Sequence, residues 1–250
     1  MIFVANFPQL PIYLDYNNPG EDDQSKYQYI KMVPNENENS IRVLGVYIDS
    51  KLTFKDHIKF VHGKVARSIF SIKQMRNILD LKHLKLLASA YIRSHIEYCS
   101  NLLTICNQST IKPLTIILKK TIRLITGSSY RAHTVPLFRQ EDILPVPELI
   151  KYNASVFMHS FLYYYAPDSF NDVWKRLRDH VHYTLRNPHD IYIRSFRLVS
   201  YSNHPYFAFP KIWNDLPFYL KDIQDLNFFK AELKVFLLNS LEPPPHPLNE

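Results

Sequence analysis

The 250-residue sequence is poor in glycine and cysteine and has no long hydrophobic run. Only 4 of the 250 residues are glycine, whereas an average protein has roughly 7% glycine. This scarcity argues against nucleotide-binding folds that need glycine-rich phosphate loops. Two cysteines are too few for a disulfide scaffold or a four-thiolate zinc site. The longest notable uncharged run, residues 152–167, is too short and too polar to cross a bilayer.

The abundant residues are those of a packed protein. Hydrophobic residues make up 46% of the chain and aromatic residues 14%, including 17 Tyr and 16 Phe. This composition can bury a core in one large domain or two small ones. The first ten residues, MIFVANFPQL, lack the basic and apolar segments of a signal peptide. We therefore expect an intracellular protein, nuclear or cytoplasmic, that is not secreted and has no membrane partner.

Positive charge is concentrated in one part of the chain. Residues 51–140 contain 16 Lys or Arg and 3 Asp or Glu, a net charge of +13, whereas the whole chain carries +7. Lys and Arg side chains at this density repel one another unless a polyanion is nearby. Nucleic acid is the commonest such partner, because each neutralised phosphate releases counterions. The pattern favours nucleic-acid binding over a solvated helical surface that is merely rich in lysine.

The hydrophobic pattern predicts a mainly α fold with a small N-terminal β remnant. Residues 41–49 are rich in β-branched residues around Gly45 and predict a strand or tight hairpin. Apolar residues then recur every three or four positions, as on a helix buried along one side. These positions are Phe54, Ile58, Val61, Val65, Ile69, Ile72, Met75 and Leu79.

Further helices are expected along the rest of the chain. Asp80 precedes a second helix, and a third is expected to start at Thr110 and to end at Gly127, a typical C-cap. The three helices predict an antiparallel bundle. Two later helices are expected over about residues 148–164 and 226–241. The expected buried face of the second helix is Leu84, Leu87, Ala88, Tyr91, His95, Tyr98, Cys99 and Leu102.

No group of residues predicts catalysis or a metal site. The acidic triplet Glu21, Asp22 and Asp23 follows a Pro-Gly turn and lacks the apolar strand residues that fix metal-binding carboxylates. Cys99 and Cys106 are expected to pack as small apolar residues rather than to bind a metal with His95. His180 and His182 have the spacing of strand ligands, but no second cluster accompanies them. We therefore predict no catalytic and no metal-binding residues.

Several strings together resemble the reverse transcriptases of LINE-type, jockey-like non-LTR retrotransposons. Their order and spacing carry the resemblance, which covers about residues 1–241. The most distinctive part is SYRAHT after a basic helix. The strings are IRVLGVYIDSKLTFKDHI, IRSHIEYCSNLL, LKKTIRLITGSSYRAHTVPLF, ILPVPELIKY, FPKIWNDLP and FKAELKVFLLNSL.

The resemblance implies four regions. Residues 1–52 correspond to residual palm strands and a primer-grip-like hairpin, and residues 53–128 to a basic, thumb-like helical bundle. Residues 129–242 form an irregular, aromatic-rich helical region, and residues 243–250 a mobile tail. The family's aromatic-Ala-Asp-Asp motif is not matched, because Asp22-Asp23 follows Gly-Glu.

The expected function is that of a C-terminal fragment of an RNA-directed DNA polymerase that is inactive alone. The palm and endonuclease of the family are missing, and with them the Mg²⁺ that the intact enzyme uses, so no cofactor is expected here. The fragment would hold an RNA–DNA hybrid or RNA without regard to sequence, since phosphates carry no base identity. By the resemblance, Leu44, Gly45 and Val46 would approach the primer end.

The predicted nucleic-acid contacts are basic residues that lie off the apolar stripes. They are Lys55, Lys59, Lys64, Arg67, Lys73, Arg76, Lys119, Lys120, Arg123 and Arg131. Two alternatives stay open. The chain could be a non-enzymatic helical module whose aromatic C-terminal half binds a protein partner, or a degenerate retroelement reading frame.

Overall fold

The computed structural model describes residues 12–15, 27–30, 40–164, 173–179, 189–193 and 204–241. The chain divides into an N-terminal unit, residues 1–57, and a C-terminal unit, residues 58–250. Two small sheets lie in the first unit, and the regular structure of the described residues of the second is helical apart from one isolated β-bridge. This confirms the mainly α class with an N-terminal β portion. No helix of the described residues is both long and apolar enough to cross a membrane.

The N-terminal unit contains two antiparallel strand pairs. Strands β1 (Ile12–Asp15) and β2 (Tyr27–Ile30) pair with Ile12 opposite Ile30. Strands β3 (Ser40–Val43) and β4 (Val46–Asp49) pair with Ser40 opposite Asp49, which confirms the predicted hairpin. Leu44 and Gly45 connect the two strands, and the positive φ of both residues fits the right-handed twist of such a hairpin.

Asp49 organises the turn after the hairpin. Its carboxylate accepts hydrogen bonds from the backbone N–H groups of Lys51, Thr53 and Phe54, at 3.1, 3.0 and 2.8 Å. The hydroxyl of Thr53 donates to the same carboxylate at 3.1 Å. Leu52 and Phe54 have positive φ, a conformation that is costly for residues with a Cβ. The carboxylate offsets this cost by satisfying the donors of the turn.

Helix α1 spans Lys55–Met75 and largely confirms the predicted apolar stripe. The residues of the stripe that are buried are Phe54, Ile58, Val61, Val65 and Ile72. Its C-terminal end differs from the expectation. The helix stops at Met75, whose side chain is exposed, and the chain turns before Leu79. The stripe is therefore shorter than the seven turns that its spacing predicted.

The second helical run has a different buried face from the predicted one. Helix α2 (Leu81–Ala88) continues through a π-helical segment (Ser89–Arg93) into α3 (Ser94–Glu97). A π turn takes up one extra residue and so rotates all that follows. Tyr91 and Tyr98, predicted to be buried, are consequently exposed. Leu84 and Ala88 are buried as predicted, and beyond them the buried residues are Ile92 and Ile96.

Helices α4 (Gln108–Thr126), α5 (Thr134–Gln140) and α6 (Val146–Tyr163) follow a 3₁₀ segment over Ser100–Ile105. Helix α4 contacts α2, α5 and α6. Its N-cap is Asn107 rather than Thr110, while the predicted C-cap Gly127 is confirmed. The buried residues of α4 are Leu114, Ile117, Leu118, Thr121, Ile122 and Ile125.

The C-terminal part packs on α6. Helices α7 (Pro205–Asn214) and α9 (Leu226–Asn239) both contact α6, and the short α8 (Phe218–Lys221) contacts α9. The ammonium group of Lys221 is buried and donates to Asp190 Oδ1 at 2.6 Å and to the Asn214 carbonyl at 2.7 Å. A buried cation needs such partners, so this network fixes residues 189–193 against α7 and α8.

The stripe of α1 can be tested with two identical substitutions. Ile72→Ala truncates a side chain that is only 3% exposed, so the free energy of unfolding should fall by about 2–5 kcal/mol. Ile78→Ala makes the same change at a position that is 82% exposed and should alter stability by less than about 0.5 kcal/mol. Urea unfolding followed by circular dichroism measures both. Equal effects would contradict the described burial of α1.

A second prediction concerns His159, which is fully buried on α6. Its Nε2 donates to the Ile223 carbonyl at 2.8 Å, and its ring stacks on Phe229 at 4.2 Å. Burial lowers the pKa of His159 from its ordinary 6.5, although the bond to Ile223 opposes the shift. The folded state therefore favours the neutral ring, and stability is lost as the pH falls below about 6.5.

Removing this titratable group should flatten the pH dependence of the melting temperature. His159→Phe keeps an aromatic ring but cannot take up a proton, so its Tm should fall less than that of the unmodified protein between about pH 7.5 and 5.5. His133→Phe, at an exposed position, is the matched control. A pH dependence in His159→Phe as steep as in the unmodified protein would show that the buried ring does not carry the effect.

Candidate nucleic-acid interface

The structure places most of the predicted basic contacts at the surface. Of the ten, eight are exposed, and Lys64 and Arg123 are half-buried. None of the ten forms a salt bridge with a carboxylate of the described residues. Exposed cations without a carboxylate partner can meet a phosphate without first breaking an ion pair. Lys55 belongs to the N-terminal unit, and the other nine belong to the C-terminal unit.

The basic residues of α1 do not form a single line. Lys59 and Lys64 are five residues apart, so they project about 140° apart around the helix axis. Lys59, Arg67 and Lys73 lie on the outer half of the helix, away from the buried residues, and all three are exposed. Lys64 lies at the border of this half, where its ammonium group sits 4.8 Å from the centre of the Phe60 ring. The outer half of α1 is therefore a broad positive surface.

The end of α1 meets the end of α4. The guanidinium Nη2 of Arg76 lies 3.1 Å from the point that a Cβ atom on Gly127 would occupy. Gly127 has a φ of 70° and caps α4 in the left-handed conformation. A cation beside the last carbonyls of a helix is favourable because those groups carry partial negative charge. Arg76 thus stabilises the helix end as well as adding charge to this surface.

Helix α4 contributes charge from its last two turns. Lys119 and Lys120 are exposed. Burial raises the pKa of Glu148, a shift that the nearby ammonium groups of Lys151 and Lys119 oppose. Lys119 therefore has an electrostatic partner within the protein, whereas Lys120 is the more available of the two.

Arg123 is held by the loop that follows α4. Its Nε donates to the Ala132 carbonyl at 3.0 Å, and its guanidinium lies 6.0 Å from the centre of the Tyr130 ring. This fixes Arg123 in place, so it acts as a support for the loop as well as a charge. Arg131, the next cation along the chain, is exposed.

The stretch of chain that contains α4 and the loop after it has no carboxylate of its own. Residues 98–140 contain six Lys or Arg and no Asp or Glu. The carboxylates that flank this stretch in the sequence are paired: Glu97 with Arg93, and Glu141 with Lys85 at 2.5 Å. A positive field unopposed by carboxylates attracts polyanions over about a Debye length.

The hairpin of the N-terminal unit separates the three residues predicted to approach a primer. Leu44 is 87% exposed at the tip and has a φ of 46°, and Gly45 follows with a φ of 86°. Val46 is buried, although its cross-strand partner Val43 is exposed. Leu44 is therefore accessible to a ligand, whereas Val46 is not.

The residues considered for metal binding do not come together. Cys106 is buried, and Cys99 lies half-buried in a left-handed bend between α3 and the 3₁₀ segment, so the two do not share a helix face. No cluster of three or more His, Cys, Asp or Glu residues with metal-binding geometry occurs in the described part of the chain. Glu21, Asp22, Asp23, His180 and His182 lie outside the described residues.

One exposed residue escaped the sequence-based selection. Tyr130 is 79% exposed and stands between the basic end of α4 and Arg131. The predicted contacts follow from charge and from apolar periodicity, and a tyrosine in a polar loop contributes to neither. The signal that could have identified it is that Tyr130 is the one Tyr, Phe or Trp within residues 99–137, a stretch without carboxylates.

Comparison with protein-family models, with curated proteins and with solved structures gave no match to this chain.

The junction between α1 and α4 can be tested by substituting two glycines. Gly127→Ala should destabilise the protein by about 1–2 kcal/mol, since its left-handed conformation is costly for alanine and a Cβ would crowd Arg76. Gly63→Ala, within α1, meets nothing within 4 Å and should stabilise by about 0.5–1 kcal/mol. Thermal unfolding gives both values. Opposite signs are the expected result, and stabilisation by Gly127→Ala would contradict the described cap.

Proposed function

We propose that this chain binds nucleic acid as a C-terminal, thumb-containing portion of a retrotransposon reverse transcriptase. It holds the template–primer duplex through the phosphate backbone and does not itself provide the catalytic aspartates. The observation that carries the proposal is the number of exposed cations without a carboxylate partner on the outer half of α1 and at the end of α4. The sequence resemblance to LINE-type polymerases supplies the identity of the duplex, an RNA–DNA hybrid.

The surface suits binding to phosphates rather than to bases. Its cations are spread over half the circumference of α1 and over a second helix, a distribution that follows a phosphate backbone rather than a few base edges. Phosphate contacts fix a protein on a duplex without selecting a sequence. A hybrid of A-like form presents its phosphates and shape more readily than its base edges. The expected binding is therefore sequence-tolerant.

The N-terminal unit supports the proposal by a separate route. Its β3–β4 hairpin presents Leu44 on a two-residue turn with Gly45, and the Asp49 carboxylate at the end of β4 organises the turn that follows the hairpin. In the family that the sequence resembles, this hairpin is the primer grip. By that resemblance, Leu44 and the backbone of Gly45 approach the primer end.

Salt dependence tests the proposal quantitatively. About six phosphate contacts give a slope of about −4 to −5 for log Kobs against log salt concentration, at roughly 0.7–0.9 per contact. Replacing Lys59, Arg67 and Lys73 together with Gln should flatten this slope by about 2–3, because these side chains lie on the outer half of α1. Fluorescence anisotropy with a labelled RNA–DNA hybrid measures the slope.

A matched triple variant separates local contact from net charge. Lys175, Arg178 and Lys211 are exposed and lie outside α1 and α4, so their replacement by Gln removes the same charge. This control should leave the slope nearly unchanged. Equal slopes in both variants, with folding verified by circular dichroism, would remove α1 from the binding surface.

A shallow salt slope in the unmodified protein would favour the alternative, a helical module that binds a protein partner. Apolar contacts release few counterions and therefore respond weakly to salt. The C-terminal part does expose large apolar side chains, among them Phe218, Tyr219 and Phe228.

A further inference from the structure

The loop after α4 holds one aromatic side chain in a fixed and exposed position. Gly127 N–H donates to the Leu124 carbonyl at 3.4 Å, and Ser128 N–H to the Arg123 carbonyl at 3.0 Å, which together form a Schellman cap. Ala132 N–H then donates to the Ser129 carbonyl at 3.0 Å. That bond makes Tyr130 and Arg131 the two central residues of a β-turn.

Further bonds restrain the turn at both ends. The hydroxyls of Thr126 and Ser128 are 2.9 Å apart, within hydrogen-bond distance. Arg131 N–H contacts the Ser129 hydroxyl at 3.4 Å, and the Arg123 side chain binds the Ala132 carbonyl at 3.0 Å. The backbone under Tyr130 is therefore pinned to the last turn of α4, so the ring can bind without paying the entropy of ordering a free loop.

The surroundings of the ring select a charged, planar ligand. The guanidinium of Arg123 lies 6.0 Å from the ring centre, and 79% of the residue stays exposed. The neighbouring charged groups on the loop and the end of α4 are all cations: Lys119, Lys120, Arg123 and Arg131. A protein partner would need acidic groups here, whereas a nucleic-acid strand supplies both the phosphates and a flat ring to stack.

We propose that Tyr130 is a stacking platform for an unpaired base of single-stranded RNA or DNA, with Arg131 and Lys120 on its phosphates. This inference rests on the proposed function and names a second element of the ligand. The helices hold the duplex, and Tyr130 holds a base of the adjoining single strand. A paired base cannot offer its face to the ring, because its neighbours in the duplex cover both faces. Stacking is tolerant of sequence, since every base has a π face.

The experiment compares three labelled probes: a blunt RNA–DNA hybrid, the same hybrid with a single-stranded RNA overhang, and the single-stranded RNA alone. Tyr130→Ala should weaken binding of the overhang probe and of the single strand by about 5- to 150-fold, the range for loss of one stacked base. It should leave binding of the blunt hybrid unchanged. A fluorescent purine analogue in the overhang should be quenched by the unmodified protein and not by Tyr130→Ala.

Two variants serve as controls. Tyr130→Phe keeps the ring and should retain the binding and the quenching, which separates stacking from a hydrogen bond of the hydroxyl. Tyr219→Ala removes another exposed tyrosine, on α8, and should bind all three probes like the unmodified protein. Circular dichroism spectra verify that each variant is folded.

The two proposals fail in different ways. No change in any probe on Tyr130→Ala, or an equal loss on the blunt hybrid, would overturn the stacking platform while leaving the duplex surface intact. Failure of the unmodified protein to bind the blunt hybrid would overturn the proposed function. In that case Tyr130-dependent binding of the single strand alone would still support the platform, and its absence would overturn both.

Discussion

Burial of one face of α4 is the constraint on which the C-terminal unit depends. Leu118, Ile122 and Ile125 are buried on α4, which contacts the neighbouring helices α2, α5 and α6. Burying such a face contributes the main favourable term in folding, and it fixes the rotation of the helix about its own axis. That rotation turns Lys119 and Lys120 toward solvent. The placement of the positive surface therefore follows from the packing of the core.

The end of α4 connects packing to the proposed chemistry. Gly127 closes the helix in a conformation that other residues adopt only at a cost, and its missing side chain leaves room for Arg76 from the end of α1. The cap directs the chain into the turn that carries Tyr130, and Arg123 binds the far end of that turn. Two helix ends, several cations and one aromatic ring are thereby gathered at one place on the C-terminal unit.

Nucleic-acid binding fits this arrangement better than catalysis does. A phosphate-binding surface needs exposed cations at moderate precision, which helices supply readily. Phosphoryl transfer, by contrast, needs carboxylates held around metal ions at high precision. The aromatic turn adds a contact that phosphates alone do not make. A strand held by both its phosphates and one stacked base is recognised as single-stranded without its sequence being read.

The sequence by itself determined the helical class, the clustering of charge, and the caps at Asp80 and Gly127, because these depend on composition and on neighbours along the chain. It did not determine the buried face beyond Ala88. The π segment there shifts the phase of the helix, and only packing against α4 decides whether an extra residue is accommodated. The tertiary structure also decided the roles of single residues. Arg76 and Arg123 look alike in sequence, yet one lies against a helix end and the other binds a loop carbonyl. Val46 is buried and Tyr130 is exposed for the same reason: exposure is set by contacts between residues distant in sequence, which no local pattern records.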